Sequence, residues 1–192
     1  MDTKTQILSI AADLLQKQSM NGFSLQDVAD RVGIRKPSLF HHYRNKDALV
    51  ADVIESSIQA FRKRMEAMQD QPPARRLETW LSVYVSNIGA GSKLCPVGGI
   101  LGDWDHLAPD LQQRAQRLLD LQQHWLEEIA LSGKYVHDAN AAQEWAEDLL
   151  MIVQGALVLS RVRHSPLPLE RAVTRLRERL ASEGTFSSPA LI

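Results

Sequence analysis

A single cysteine, Cys95, in 192 residues excludes an internal disulfide, and that scarcity fits a reducing, cytoplasmic setting. An excess of one charge is also lacking. The 22 basic and 23 acidic residues leave a formal net charge of −1, so total charge argues for neither a nucleic acid nor a membrane as partner. No apolar run reaches the roughly 20 residues that a membrane-crossing helix needs. The opening MDTKTQILSIAADLLQKQS interleaves charges and glutamines with its apolar residues, which is the pattern of neither a signal peptide nor a span. Strand-type alternation, internal repeats and low-complexity tracts are missing as well.

Signatures of catalysis are equally scarce. There is no nucleophile elbow, no phosphate-binding loop before Lys-Ser/Thr and no zinc-binding HExxH. The cluster Gly98-Gly99-Ile100-Leu101-Gly102 follows no strand, so it is not a dinucleotide fingerprint. The histidines show no metal-ligand spacing beyond the adjacent His41-His42, and Asp103 and Asp105, two apart on a helix, face different ways. No enzyme activity, metal or cofactor is expected.

What is present is helical period and ordinary globular composition, 44% hydrophobic and 23% charged. Apolar stripes run through Ile7, Leu8, Ala11, Leu14 and Leu15, then Leu25, Val28, Ala29 and Val32, then Val50, Ile54, Ile58, Phe61, Met65 and Met68. Pro72-Pro73 breaks the chain. Further stripes follow: Leu77 to Ile88, ending near Gly89 and Gly91; Leu111 to Ile129, ending before Gly133; Ala142 to Leu157; and Ala172 to Leu180 beyond Pro166 and Pro168. The residues after 183 read as a frayed tail. The expectation is an all-α fold of about nine helices, with a helix-turn-helix domain over 1–47, an effector-binding and dimerisation domain over 48–183, and a flexible tail over 184–192.

Charge is unevenly placed. Residues 1–46 hold seven basic and four acidic side chains, net +3, and the remainder is net −4. Five basic residues and no acidic one fall within 31–46. Such a segment suits a small module meeting a polyanion, although a solvated charged face has the same composition. Within it, SLQDVADRVGIRKPSLFHHYRNK has further order. Ser24 with Asp27 is a helix start; Gly33 ends that helix in a left-handed cap; and Pro37 suits the first turn of the next. Two short helices about a glycine turn make a helix-turn-helix. In the second, Leu39 and Tyr43 share an inward face and leave Ser38, Phe40, His41 and His42 for the outside, as a helix reading the major groove requires. Lys36 and Lys46 bracket it as phosphate contacts. Structural αα-hairpins with a glycine turn share part of this pattern.

These residues resemble the DNA-binding domain of the TetR (tetracycline repressor) family of bacterial transcriptional regulators. The resemblance runs from about Thr5 to Val53 and is most specific over Ser38 to Tyr43 with Lys46 and Leu49. Ser19-Met20 replaces the family's usual glycine-aromatic pair, and Phe23 its usual threonine. The resemblance implies a three-helix DNA-binding domain, a larger helical domain and a homodimer formed mainly by the last two helices. It also implies a repressor of a near-palindromic operator on double-stranded DNA, released by a small-molecule effector. By positional match the DNA-contacting set is Gln26, Lys36, Pro37, Ser38, Phe40, His41, His42 and Lys46.

The carboxy-terminal region says less. Tyr84, Trp104, Gln122, Trp125 and Gln154 are candidate effector contacts, because glutamines beside apolar stripes need partners; core packing is the alternative for each aromatic. The stretch Lys93–Leu111 resembles a subset of the family with a cysteine and glycines there, in some members of which the cysteine senses electrophiles or oxidants, which makes Cys95 a candidate switch as well as a candidate small buried hydrophobe. Residues 149–159 are apolar on more than one face and need cover on both. Leu149, Ile152, Gly155, Ala156, Val173 and Leu176 are therefore the candidate dimer face, a plain core helix being the alternative. The competing functional reading is a helical small-molecule carrier or enzyme that retains a non-functional helix-turn-helix.

Overall fold

The computed structural model describes residues 2–87 and 91–183, with side chains to 180. Ile88 and Gly89, at the helix end expected near Gly89 and Gly91, and the tail over 184–192 lie outside the described residues. Among the described residues there are eight α-helices, two 3₁₀ turns and no strand, so the all-α expectation is borne out. No described helix is long and apolar enough to cross a membrane.

The chain forms two compact units, residues 1–62 with 94–118 and residues 63–93 with 119 onward. In the first, α1 (Thr3–Gln18) starts where Asp2 accepts the Thr5 N–H at 2.7 Å, and it buries Ile7, Ala11, Leu14 and Leu15. A 3₁₀ turn (Met20–Gly22) leads to α2 (Leu25–Val32), α3 (Lys36–His42) and α4 (Lys46–Met68). Leu49, Val50, Val53, Ile54 and Ile58 of α4 are buried, and each aliphatic side chain so buried contributes about 1.5–3 kcal/mol.

Residues 94–118 complete this unit. Leu94 donates its N–H to the Gln16 carbonyl at 3.0 Å, and Met20 donates to the Gly99 carbonyl at 2.8 Å. The Asn21 amide donates to Asp103 at 2.5 Å. A 3₁₀ turn (Leu101–His106) then enters α6 (Pro109–Ser132), whose Arg114 pairs with Glu55 at 3.4 Å and Asp110 at 2.9 Å.

In the second unit, α5 (Pro73–Asn87) is joined to the later part of α6 by side-chain bonds, Arg76 to Glu128 and Trp80 to Gln122, and α7 (Ala139–Val162) pairs with α8 (Leu167–Glu183). Asp138 caps α7 by accepting the Ala141 N–H at 2.9 Å. The buried Ser160 hydroxyl accepts the Leu169 N–H at 3.2 Å, which fixes the start of α8.

Candidate DNA-reading surface and sensor residues

The reading surface is assembled from local signals. Ser24 and Asp27 form a reciprocal capping box: Ser24 Oγ accepts the Asp27 N–H at 3.2 Å and Asp27 accepts the Ser24 N–H at 2.7 Å. The Ser24 hydroxyl also donates to Asp27, and this bond, with the backbone one, holds the Asp27 carboxyl below its ordinary range. Gly33 ends α2 at φ 80°, ψ 29°, and its N–H reaches the Ala29 carbonyl at 3.0 Å. With Pro37 in its first turn, α3 then begins without a side-chain cap.

The two faces of α3 separate as the four-residue spacing requires. Leu39 is wholly buried and Tyr43, at its end, is 4% exposed. Lys36, Pro37, Ser38, Phe40, His41 and His42 are all exposed. Phe40 is 45% exposed, with the Lys36 ammonium 6.0 Å from its ring centre. Gln26 is exposed on α2, its amide donating to Asp30 at 2.6 Å. The sequence placed Lys46 beside these residues as a phosphate contact. Its ammonium donates to two carbonyls, Met20 at 2.8 Å and Phe23 at 3.1 Å, and lies 5.4 Å from the Phe23 ring centre.

The six sensor candidates fall into both units. Cys95 and Trp104 belong to the first, each half-buried. Cys95 stands in a turn, its Sγ accepting the Gly98 N–H at 3.1 Å, rather than at a helix N-terminus. Tyr84, Gln122, Trp125 and Gln154 belong to the second. Gln122 is buried on α6, and its carbonyl accepts from the Trp80 indole at 3.3 Å and from the Tyr84 hydroxyl. Trp125 packs beneath Arg76, whose guanidinium carbon lies 4.1 Å from its ring centre. Arg76 was missed by sequence reasoning. It is only 8% exposed and pairs with Glu128 at 3.1 Å, yet its Nε has no acceptor among the described residues. The four-residue spacing of Arg76, Trp80 and Tyr84 on α5 was the available signal. The buried Gln154 amide nitrogen also has no acceptor among the described residues.

The α7–α8 pair divides the expected dimer residues. Leu149, Ala156, Val173 and Leu176 are buried within the chain, and Ile152 and Gly155 are exposed. Ile152 belongs to an apolar strip left uncovered on α7, with Met151, Val158, Leu159 and Val162, the last 73% exposed. A groove of about 520 Å³ runs beside it, between Ile152, Gly155 and Leu159 on one side and Leu167, Pro168 and Arg171 on the other.

The architecture is that of a helix-turn-helix protein with a larger helical body. Residues 7–53 match the family model for bacterial regulatory proteins, tetR family. Over 169 residues, 84% of each chain, the sequence is 25% identical to an uncharacterized HTH-type transcriptional regulator in the lacX 3′ region of Lactococcus lactis subsp. lactis. Over 51 residues, 27% of this chain and 25% of the other, it is 33% identical to the HTH-type transcriptional repressor KstR2 of Rhodococcus jostii (strain RHA1). A TetR transcriptional regulator from Legionella pneumophila shares the fold with a TM-score of 0.84 at 21% identity, over 93% of this chain and 97% of that one. Residues 7–53 thus carry a DNA-binding domain of the tetR type, and the whole chain has the fold of solved TetR transcriptional regulators.

Proposed function

We propose that the protein is a repressor that binds a near-palindromic operator as a homodimer and is released by a small-molecule or electrophile signal. The observation that carries this reading is the two-sided α3, with Leu39 and Tyr43 buried and six consecutive-turn residues from Lys36 to His42 left in solvent. Gln26, Lys36, Pro37, Ser38, Phe40, His41 and His42 form the contacting set: Lys36 for phosphates, the α3 side chains for base edges. The repressor assignment is supported by the relative from Rhodococcus jostii, which is named as one.

A second copy supplies the cover for the apolar strip Met151–Val162 on α7, because exposed apolar surface of this extent marks an interaction site. A two-fold pair presents two reading helices to half-sites about 34–36 Å apart or somewhat more. The sensor reading rests on Gln122 with Tyr84 and Trp80, and on the orphaned Arg76 Nε and Gln154 amide, since buried donors lacking acceptors are costly unless something supplies one. Cys95 is the candidate for an electrophile signal.

Selection of duplexes from a random library by the purified chain tests the reading. Enrichment of an inverted repeat, bound with steep salt dependence, is the expected result. A chain that remains monomeric and enriches no sequence sinks it and favours the carrier or enzyme alternative.

A further inference from the structure

The Lys46 ammonium is committed on three sides, to the Met20 carbonyl, the Phe23 carbonyl and the Phe23 ring. These groups belong to the short turn between α1 and α2. Lys46 itself opens α4, four residues after α3 ends. It therefore ties the exit of the reading helix to the entry of its companion helix.

The same turn is held from its other side. Met20 donates its N–H to Gly99, the Asn21 amide binds Asp103, and Leu94 binds Gln16 one turn earlier. Gly99 is required there by space, because a Cβ would lie 2.7 Å from the Leu15 carbonyl oxygen. Ser19, at the junction, has φ 63° and ψ 172°, a region open almost only to glycine. A strained residue persists where its surroundings over-determine it, and here these surroundings are the 94–103 turn and Lys46.

Resting on the DNA-binding reading above, we propose that Lys46 is a positioning residue rather than a phosphate contact, and that it acts jointly with the 94–103 turn. Lys46 transmits the position of the Met20–Phe23 turn to α3, and Gly99 and Asp103 set that position. Residues 1–53, which carry the family pattern, are thus an incomplete reading head without a segment more than forty residues further along the chain. Disturbing the 94–103 turn changes DNA affinity although it touches no DNA.

The test uses the full chain and a duplex it selects from a random library, with affinity measured against salt concentration. A lost phosphate contact lowers the slope of log affinity against log salt by about 1. Lys36→Met should show that fall. Lys46→Met, Gly99→Ala and Asp103→Ala should weaken binding several-fold with the wild-type slope, and the double variant Lys46→Met/Gly99→Ala should be less damaging than two independent effects. A Lys46→Met slope that falls by about one unit overturns the proposal. Hydrogen exchange without DNA supplies the second readout. The Tyr43 amide, bonded to the Leu39 carbonyl at 2.9 Å, should lose protection in Lys46→Met and in Asp103→Ala, the latter replacing a half-buried side chain. Unchanged protection in both overturns the proposal too. If the wild-type chain enriches no duplex, the DNA-binding reading fails, and the exchange measurement still decides the positioning role.

Discussion

The Tyr43 hydroxyl donates to the Asp52 carboxylate at 3.2 Å, and so fastens the end of the reading helix to the second turn of α4. Lys4 reaches the same carboxylate at 3.5 Å, which brings α1 into the arrangement. Tyr43 → Phe should lower stability by about 0.5–1.5 kcal/mol, the ordinary net worth of one such bond, as read by denaturant midpoint. Burial first, and the Asp52 charge second, raise the Tyr43 phenol well above its ordinary 10.0. The unfolded chain therefore loses this proton before the folded one does. Stability from this group is complete below pH 10 and falls as pH rises further, and the alkaline fall should be shallower in the Phe variant.

Asp27 has the opposite sign. Its carboxyl is held below the ordinary 3.8 by its bonds to Ser24, so its contribution is present above that pH and is lost as pH falls through the folded-state value. Ser24→Ala should cost about 1 kcal/mol, the usual worth of a helix cap. It should also weaken the acid dependence measured by circular dichroism.

Neighbouring positions on α3 should respond in contrasting ways. Leu39→Ala removes a wholly buried side chain and should cost about 2–5 kcal/mol. Phe40→Ala and His41→Ala should leave the melting temperature nearly unchanged while weakening and broadening sequence selection. A Phe40→Ala protein with wild-type affinity and selectivity contradicts the reading-face assignment.

Substitution at Ser19 tests backbone strain. With φ 63° and ψ 172°, Ser19→Gly should stabilise the chain by about 1 kcal/mol, since strain of 1–3 kcal/mol is relieved and part of the gain is lost to unfolded-state entropy. A lower denaturation midpoint in the glycine variant refutes the strain argument.

The uncovered strip on α7 predicts assembly. Leu159→Glu and Val162→Glu place carboxylates where 50% and 73% of each side chain's residue surface is now exposed. They should leave the monomer's helicity intact and shift sedimentation to the single-chain species. Leu149→Glu, at a position buried within the chain, should instead unfold it.

The reading helix was legible because its determinants are local. Ser24 and Asp27, Gly33, and the Leu39–Tyr43 pair act over three or four residues, where period and cap chemistry are strongest. The sensor residues were less so. Gln122 stood out as polar beside an apolar stripe, but its partner Tyr84 lies 38 residues away, and no local pattern singled out Arg76. The dimer candidates show the limit of a periodicity argument: it finds that residues 149–159 of α7 are apolar on two faces, and it does not say which of them α8 covers.

By itself, the sequence determined the helices, the ends of α2, the side of α3 that faces inward and the tetR-type pattern of residues 7–53, because caps and apolar spacing act between near neighbours. Only the tertiary structure decided that Lys46 is engaged by carbonyls 26 and 23 residues away and that Asn21 meets Asp103 across 82. It also decided that Leu149 and Val173 are buried while Val162 is not. Contacts at such separations depend on where the whole chain packs, and no local residue pattern encodes which distant carbonyl or apolar face will arrive.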